Sequence, residues 1–125
     1  MTPNPTSISP RDTLAAARAL MTAEGFRHLP VVDEGHLVGM LAQGEVRAHA
    51  GFLNSTRVNA AMTADPTVIS ASATIEDAAR VMLERGVRAL PVVEGQRLIG
   101  IVTTTDILRA FLDLSRLWQA AHGAS

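Results

Sequence analysis

The chain contains no cysteine, so disulfides and thiolate metal sites cannot be built and a disulfide-stapled secreted scaffold is excluded. It contains no lysine either: all eleven basic residues are arginine. Against twelve acids they leave a net charge of −1 and no basic block, which argues against a nucleic-acid surface built on clustered phosphate contacts. No uninterrupted apolar run reaches the roughly 18 residues that suggest a membrane span. No basic-then-apolar leader opens the sequence, and a cytoplasmic protein is expected. There is no Walker or dinucleotide glycine motif and no Ser-His-Asp spacing, so no enzyme and no cofactor are expected. His28, His36, His49 and His122 are scattered without an i,i+4 pair, and no metal site is expected from them.

What the sequence has is repetition. Its 125 residues, 47% of them hydrophobic, fit one compact domain. An offset of 61 residues maps Gly25 onto Gly86, Pro30 onto Pro91, Leu37 onto Leu98 and Gly39 onto Gly100 without a gap. The match begins at Met1-Thr2 against Met62-Thr63 and runs through Pro5/Pro66, Thr6/Thr67, Ile8/Ile69, Thr13/Thr74, Met21/Met82 and a shared LPVV. Two similar units therefore make the domain: residues 1–50, a linker over 51–61, residues 62–112, and a helical tail over 113–125. An apolar face that recurs in this way buries itself most simply against its twin.

Within each unit the periodicity gives β-α-β-β-α, an α/β fold. PTSIS and PTVIS are extended, and Thr13 or Thr74 opens a helix that ends at Gly25 or Gly86, where a left-handed backbone costs least. The stripe Ile75, Ala78, Ala79, Met82 and Leu83 predicts one buried face on the second helix. HLPVV and LVGML flank Asp33, Glu34 and Gly35, and ALPVV and LIGIV flank Glu94, Gly95 and Gln96; each reads as a hairpin. A helix near Glu45 to Ala50 follows the first hairpin, and one opening at Thr103 to Asp106 follows the second. Trp118, in the apolar set with Leu112 and Leu117, is expected in helix packing or a subunit contact.

The most specific chemistry lies at this last helix start. Thr103, Thr104, Thr105 and Asp106 stand where hydroxyls and a carboxylate satisfy free backbone N–H groups, which also makes them an ordinary N-cap. A helix N-terminus after a buried strand also attracts anions. There the Asp106 carboxylate suits a ribose diol, and Thr103 or Thr105 suits phosphate. Arg27 and Arg88 occupy equivalent places and are candidates to face phosphate, with His28 beside the first.

Paired units carrying LPVVDEG-LVG and LPVVEGQRLIG, each followed by a helix, resemble a cystathionine-beta-synthase (CBS) domain pair, also called a Bateman module. The resemblance covers Met1 to about Leu112. It implies two tandem repeats packed as a pseudo-two-fold pair, a stand-alone energy sensor that binds adenine nucleotides such as AMP, ADP or ATP in clefts between the repeats. It also implies a homodimer and a regulated target that is a separate protein. The family pattern G-h-x-T/S-x-x-D is met by GIVTTTD at 100–106, which assigns phosphate to Thr103 and ribose to Asp106; Thr67 and Val87, Arg88 and Ala89 would line the adenine pocket. The first repeat has Ala42 and Glu45 at the matching places, so its cleft, with Thr6, Arg27, His28 and Glu45, is expected to be weak. A structural or dimerisation unit without nucleotide, and a sensor of S-adenosylmethionine or a dinucleotide, stay open beside this reading.

Overall fold

A computed structural model describes residues 2–122. Met1, the first residue of the repeat match, lies outside them, and so do the side chains of Leu117, Trp118 and His122. The elements in chain order are β1 (Thr2–Pro3), α1 (Leu14–Glu24), β2 (His28–Asp33), β3 (His36–Ala42), α2 (Gln43–Ala48), a 3-10 turn (Ala50–Phe52), α3 (Val58–Ala61), β4 (Thr63–Ala64), β5 (Ile69–Ser70), α4 (Ile75–Arg85), β6 (Ala89–Glu94), β7 (Arg97–Thr103) and α5 (Thr104–His122).

The helices start and stop where their local chemistry dictates. The Thr13 hydroxyl accepts the Ala16 N–H at 3.2 Å. Thr74 and Asp77 form a reciprocal capping box, the Asp77 N–H reaching the Thr74 hydroxyl at 3.1 Å and the Thr74 N–H reaching the Asp77 carboxylate at 2.9 Å. This pulls the Asp77 carboxyl below its ordinary range. α1 and α4 both end on a left-handed glycine, Gly25 and Gly86.

The hairpins β2–β3 and β6–β7 pair in the same register, with a slip between Val31 and Val32 repeated between Val92 and Val93. They meet at their turns: His36 opposes Arg97, and the Leu37 N–H reaches the Gln96 carbonyl at 3.0 Å. The strand order is β2-β3-β7-β6-β5.

The two-residue strands exchange between repeats. β1 pairs with β7 of the second unit, and β4 pairs with β3 of the first. The chain reverses after each at Asn4 (φ 46°) and Asp65 (φ 47°), which are 61 positions apart and are the side chains that best tolerate this backbone outside glycine. Gly39 is needed where β4 crosses β3, because a Cβ there would run into the Met62 sulfur and lie 3.0 Å from the Thr63 carbonyl oxygen.

Each unit keeps its own core. The second consists of Ile69, Ala78, Met82, Leu90, Val92 and Val102, and each has its counterpart 61 residues earlier in the first: Ile8, Ala17, Met21, Leu29, Val31 and Leu41. The first core adds Leu14, Val46 and Val58, because the segment between the units folds back over α1. The predicted apolar stripe of α4 divides accordingly: Ala78 and Met82 are buried, whereas Ile75 and Leu83 are exposed. Among the described residues no helix is long and apolar enough to cross a membrane.

Candidate functional site

β3 and β7 each hand the chain directly to a helix, and both junctions open on one cavity of about 740 Å³. Ala42, Gln43, Gly44 and Arg47 line it from the first unit and Thr103, Thr104, Thr105, Asp106 and Arg109 from the second. Arg27, His28 and Arg88 enter from the starts of β2 and β6, and Thr6 from the segment after β1. The two junctions are built alike, since the Gln43 N–H donates to the Arg27 carbonyl at 2.9 Å and the Thr104 N–H to the Arg88 carbonyl at 3.0 Å.

Thr103 and Asp106 close the start of α5 as a reciprocal cap. The Thr103 N–H donates to Asp106 Oδ2 at 2.8 Å, the Asp106 N–H reaches the Thr103 hydroxyl at 3.4 Å, and that hydroxyl also lies 3.2 Å from Oδ2. The sequence offers two uses for the Asp106 carboxylate, an N-cap and a diol contact. Oδ2 is engaged by Thr103, and among the described hydrogen bonds Oδ1 has no protein partner, so one oxygen with two lone pairs remains for a ligand. Thr104 and Thr105 are exposed, with their hydroxyls uncommitted among the described hydrogen bonds.

In the first unit Glu45 replaces this cap with a longer reach. Its Oε1 accepts the Ala42 N–H at 2.7 Å and its Oε2 the Thr63 hydroxyl at 3.2 Å, so both oxygens are occupied and Glu45 does not line the cavity. Thr63 lies on the exchanged strand β4, and Glu45 thereby ties the two units together.

The sequence expects two separate clefts, one per repeat. Instead Thr103, Thr105, Asp106 and Arg88 share a cavity with Thr6, Arg27 and His28, because β3 and β7 deliver α2 and α5 to the same space. Thr67, Val87 and Ala89 do not line it. Thr67 precedes β5, the outer strand beyond β6, while Val87 packs on the second core and Ala89 is buried with Met40 and Ile101.

Charge is the cavity's most distinctive property. Arg27, Arg47, Arg88 and Arg109 line it together with half-buried His28, against the single carboxylate of Asp106. The ion pairs among the described residues, Arg11–Asp33, Arg80–Asp77 and Arg116–Asp113, use none of these arginines. Burial, then the charges of Arg27 and Arg88, push the His28 imidazole below its ordinary value, with Glu45 opposing. Sequence reasoning missed Arg47 and Arg109. Repeat comparison hides them, since Arg47 aligns with Leu108 and Arg109 with Ala48; the available signal was that Arg109 stands one helical turn after Asp106.

Known sequences and folds agree with this architecture. The CBS domain family model matches residues 1–50 and 58–113. Hypoxic response protein 1 of Mycobacterium tuberculosis is 33% identical over 109 residues, which cover 83% of this chain and 76% of that protein. An uncharacterized protein of Methanocaldococcus jannaschii is 34% identical over 93% of this chain, but the chain spans only 32% of its length. The inosine-5'-monophosphate dehydrogenase of Korarchaeum cryptofilum is 34% identical over 81% of the chain and 21% of the enzyme. Among solved structures, CBSX2 in complex with AMP superimposes with a TM-score of 0.84 at 32% identity, covering 92% of this chain and 94% of that one; CBSX2 is a CBS-pair protein of Arabidopsis thaliana. Hypoxic Response Protein I with two coordinated zinc ions has a TM-score of 0.78 at 32% identity, covering 87% and 92%. In the present chain no group of three or more His, Cys, Asp or Glu side chains suited to a metal occurs among the described residues. With both units matched and the fold shared along nearly its whole length, the chain belongs to the family of CBS-domain pair proteins.

Proposed function

We propose that this protein is a regulatory module that binds an adenosine nucleotide of the AMP, ADP or ATP class in the cavity between its two repeats, without consuming it. The observation that carries the reading is the cavity's charge, four guanidiniums and His28 around one carboxylate that keeps an oxygen free. Cations recognise phosphate through charge-assisted hydrogen bonds, and Asp106 Oδ1 can accept from a ribose diol. CBSX2, so similar in fold, is known in complex with AMP, which supports the same class of ligand here. Phosphate falls in this reading to Thr105 and the arginines, with Thr103 joining when its hydroxyl turns away from Asp106. The base is not assigned to Thr67, Val87 or Ala89 in this reading, because none of them lines the cavity.

Calorimetric titration of the ligand-free protein with AMP, ADP, ATP and S-adenosylmethionine tests this. Nucleotides are expected to bind, to remain intact by chromatography, and to raise the melting temperature, a hundredfold excess over the dissociation constant corresponding to about 2.7 kcal/mol. Heat with S-adenosylmethionine alone would redirect the site to that ligand.

A second observation favours an assembly role alongside binding. Leu83, Leu108, Phe111 and Leu112 are all more than half exposed on α4 and α5, which pack together. Large apolar side chains left exposed on neighbouring helices suit an interface, and a two-fold homodimer through these helices fits them. A dimer that takes up no nucleotide would leave the structural reading standing alone.

A further inference from the structure

We propose that Arg47 and Arg109 make the cavity selective for ligands carrying two or more phosphates over those carrying one, and that each chain takes a single such ligand. The proposal rests on the nucleotide-binding reading and deepens it.

The charge count motivates selectivity. A monophosphate brings a charge of about −1.5 to −2, whereas the cavity presents Arg27, Arg47, Arg88 and Arg109 with one lining carboxylate. Arg27 and Arg88 are repeat-equivalent and stand immediately before β2 and β6, the first strand of each hairpin. They and the exposed Thr105 hydroxyl supply enough donors for one phosphate. Arg47 and Arg109 then remain, one from α2 and one from α5, with no carboxylate partner among the described ion pairs. All four arginines are exposed, so solvent screens their mutual repulsion and the selectivity comes from direct contact with the ligand. Each added phosphate gains charge-assisted hydrogen bonds to a further planar guanidinium fork.

Single occupancy follows from the unequal junctions. Asp106 retains a free oxygen for a diol, whereas both Glu45 oxygens are held by Ala42 and Thr63, and Ala42 has no hydroxyl to offer. A volume of about 740 Å³ lies within the range for one small-molecule site. A ligand anchored by its ribose at α5 directs its remaining phosphates to the arginines, including those of the first unit.

The test is titration of the full chain with AMP, ADP, ATP and inorganic tripolyphosphate at fixed ionic strength, in the wild type, Arg47→Gln, Arg109→Gln and, as a control outside the cavity, Arg97→Gln. Wild-type affinity is expected to rise about tenfold or more from AMP to ATP, with one ligand per chain. Either cavity variant is expected to lower ATP and tripolyphosphate affinity by about tenfold while moving AMP by less than about threefold, with melting curves unchanged and Arg97→Gln silent. AMP binding as tightly as ATP, equal losses for AMP and ATP, or two ligands per chain would overturn the proposal and leave the adenosine reading intact. Tripolyphosphate binding as well as ATP, with AMP inert, would keep the polyphosphate selectivity and remove the adenosine reading. Absence of all binding removes both.

Discussion

Leu14 and Ile75 occupy the same position in the two repeats, yet Leu14 is completely buried and Ile75 is 48% exposed. The difference lies in the path the chain takes beyond each unit's last helix. After α2 the chain turns back, so that the Leu14 and Ala15 N–H groups donate to the Thr56 and Leu53 carbonyls at 2.9 Å and Val58 seals the site. In the second unit α5 instead runs on to His122.

Leu14→Ala should therefore destabilise the protein by about 2–5 kcal/mol, since the cavity left behind is fully enclosed. Ile75→Ala should cost well under half as much in a monomer. Urea unfolding of both variants checks this, compared by midpoint at equal slope. Equal losses would mean that the second unit is as well covered as the first.

The same exposed face gives the second prediction. Phe111 is 64% exposed on α5, between Leu108 and Leu112 in helical register. Phe111→Glu places a charge in any apolar contact made there. Light scattering should give a dimer mass for the wild type and a monomer mass for the variant, with little change in monomer stability. A wild-type monomer over a wide concentration range would eliminate the dimer.

Much of the fold was legible because the pattern is written twice. The caps at Thr13 and Thr74, the glycine stops and both hairpins are local features, and the offset of 61 confirms each against its twin. The exchange of β1 and β4 was not legible, because two residues carry no periodicity and their pairing is decided by tertiary geometry. At the site, Thr103 and Asp106 were visible as a spacing, and Arg27, His28 and Arg88 as neighbours of the LPVV strands. Arg47 and Arg109 escaped because they are not repeat-equivalent and converge only in space. Glu45 was visible as a departure at the Asp position, but its bond to Thr63 depends on the exchanged strand.

That bond sharpens a comparison between Asp106 and Glu45. Asp106→Ala should weaken nucleotide binding by about ten- to a hundredfold, the size of a lost charge-assisted contact of ~1.5–3 kcal/mol. Glu45→Ala should leave affinity nearly unchanged but lower stability by roughly 1 kcal/mol, since it frees the Ala42 N–H and the Thr63 hydroxyl. Parallel titrations and unfolding curves separate the two effects. A larger affinity loss at Glu45 would move the principal site to the first unit.

The final prediction concerns pH and rests on His28. Burial first, and next Arg27 and Arg88, hold its imidazole below the ordinary value of 6.5, while Glu45 pulls the other way; Arg47, Arg109 and Asp106 share the same cavity. With the folded value depressed, the unfolded chain binds more protons below the unfolded value. The contribution to stability is thus fully present above about pH 6.5 and is lost as pH falls toward and through the folded value. His28→Gln removes this dependence, so the ligand-free wild type should lose more melting temperature than the variant between about pH 7.5 and about pH 5.5. A bound phosphate opposes this depression, because an anion beside the ring favours its charged form. The stabilisation by nucleotide should accordingly grow in the wild type, relative to His28→Gln, as pH falls. The ligand's own phosphate titration near about pH 6 is common to both proteins and cancels in that comparison. Parallel pH profiles for the two proteins, with and without nucleotide, would show that the imidazole titrates without sensing the cavity's charge.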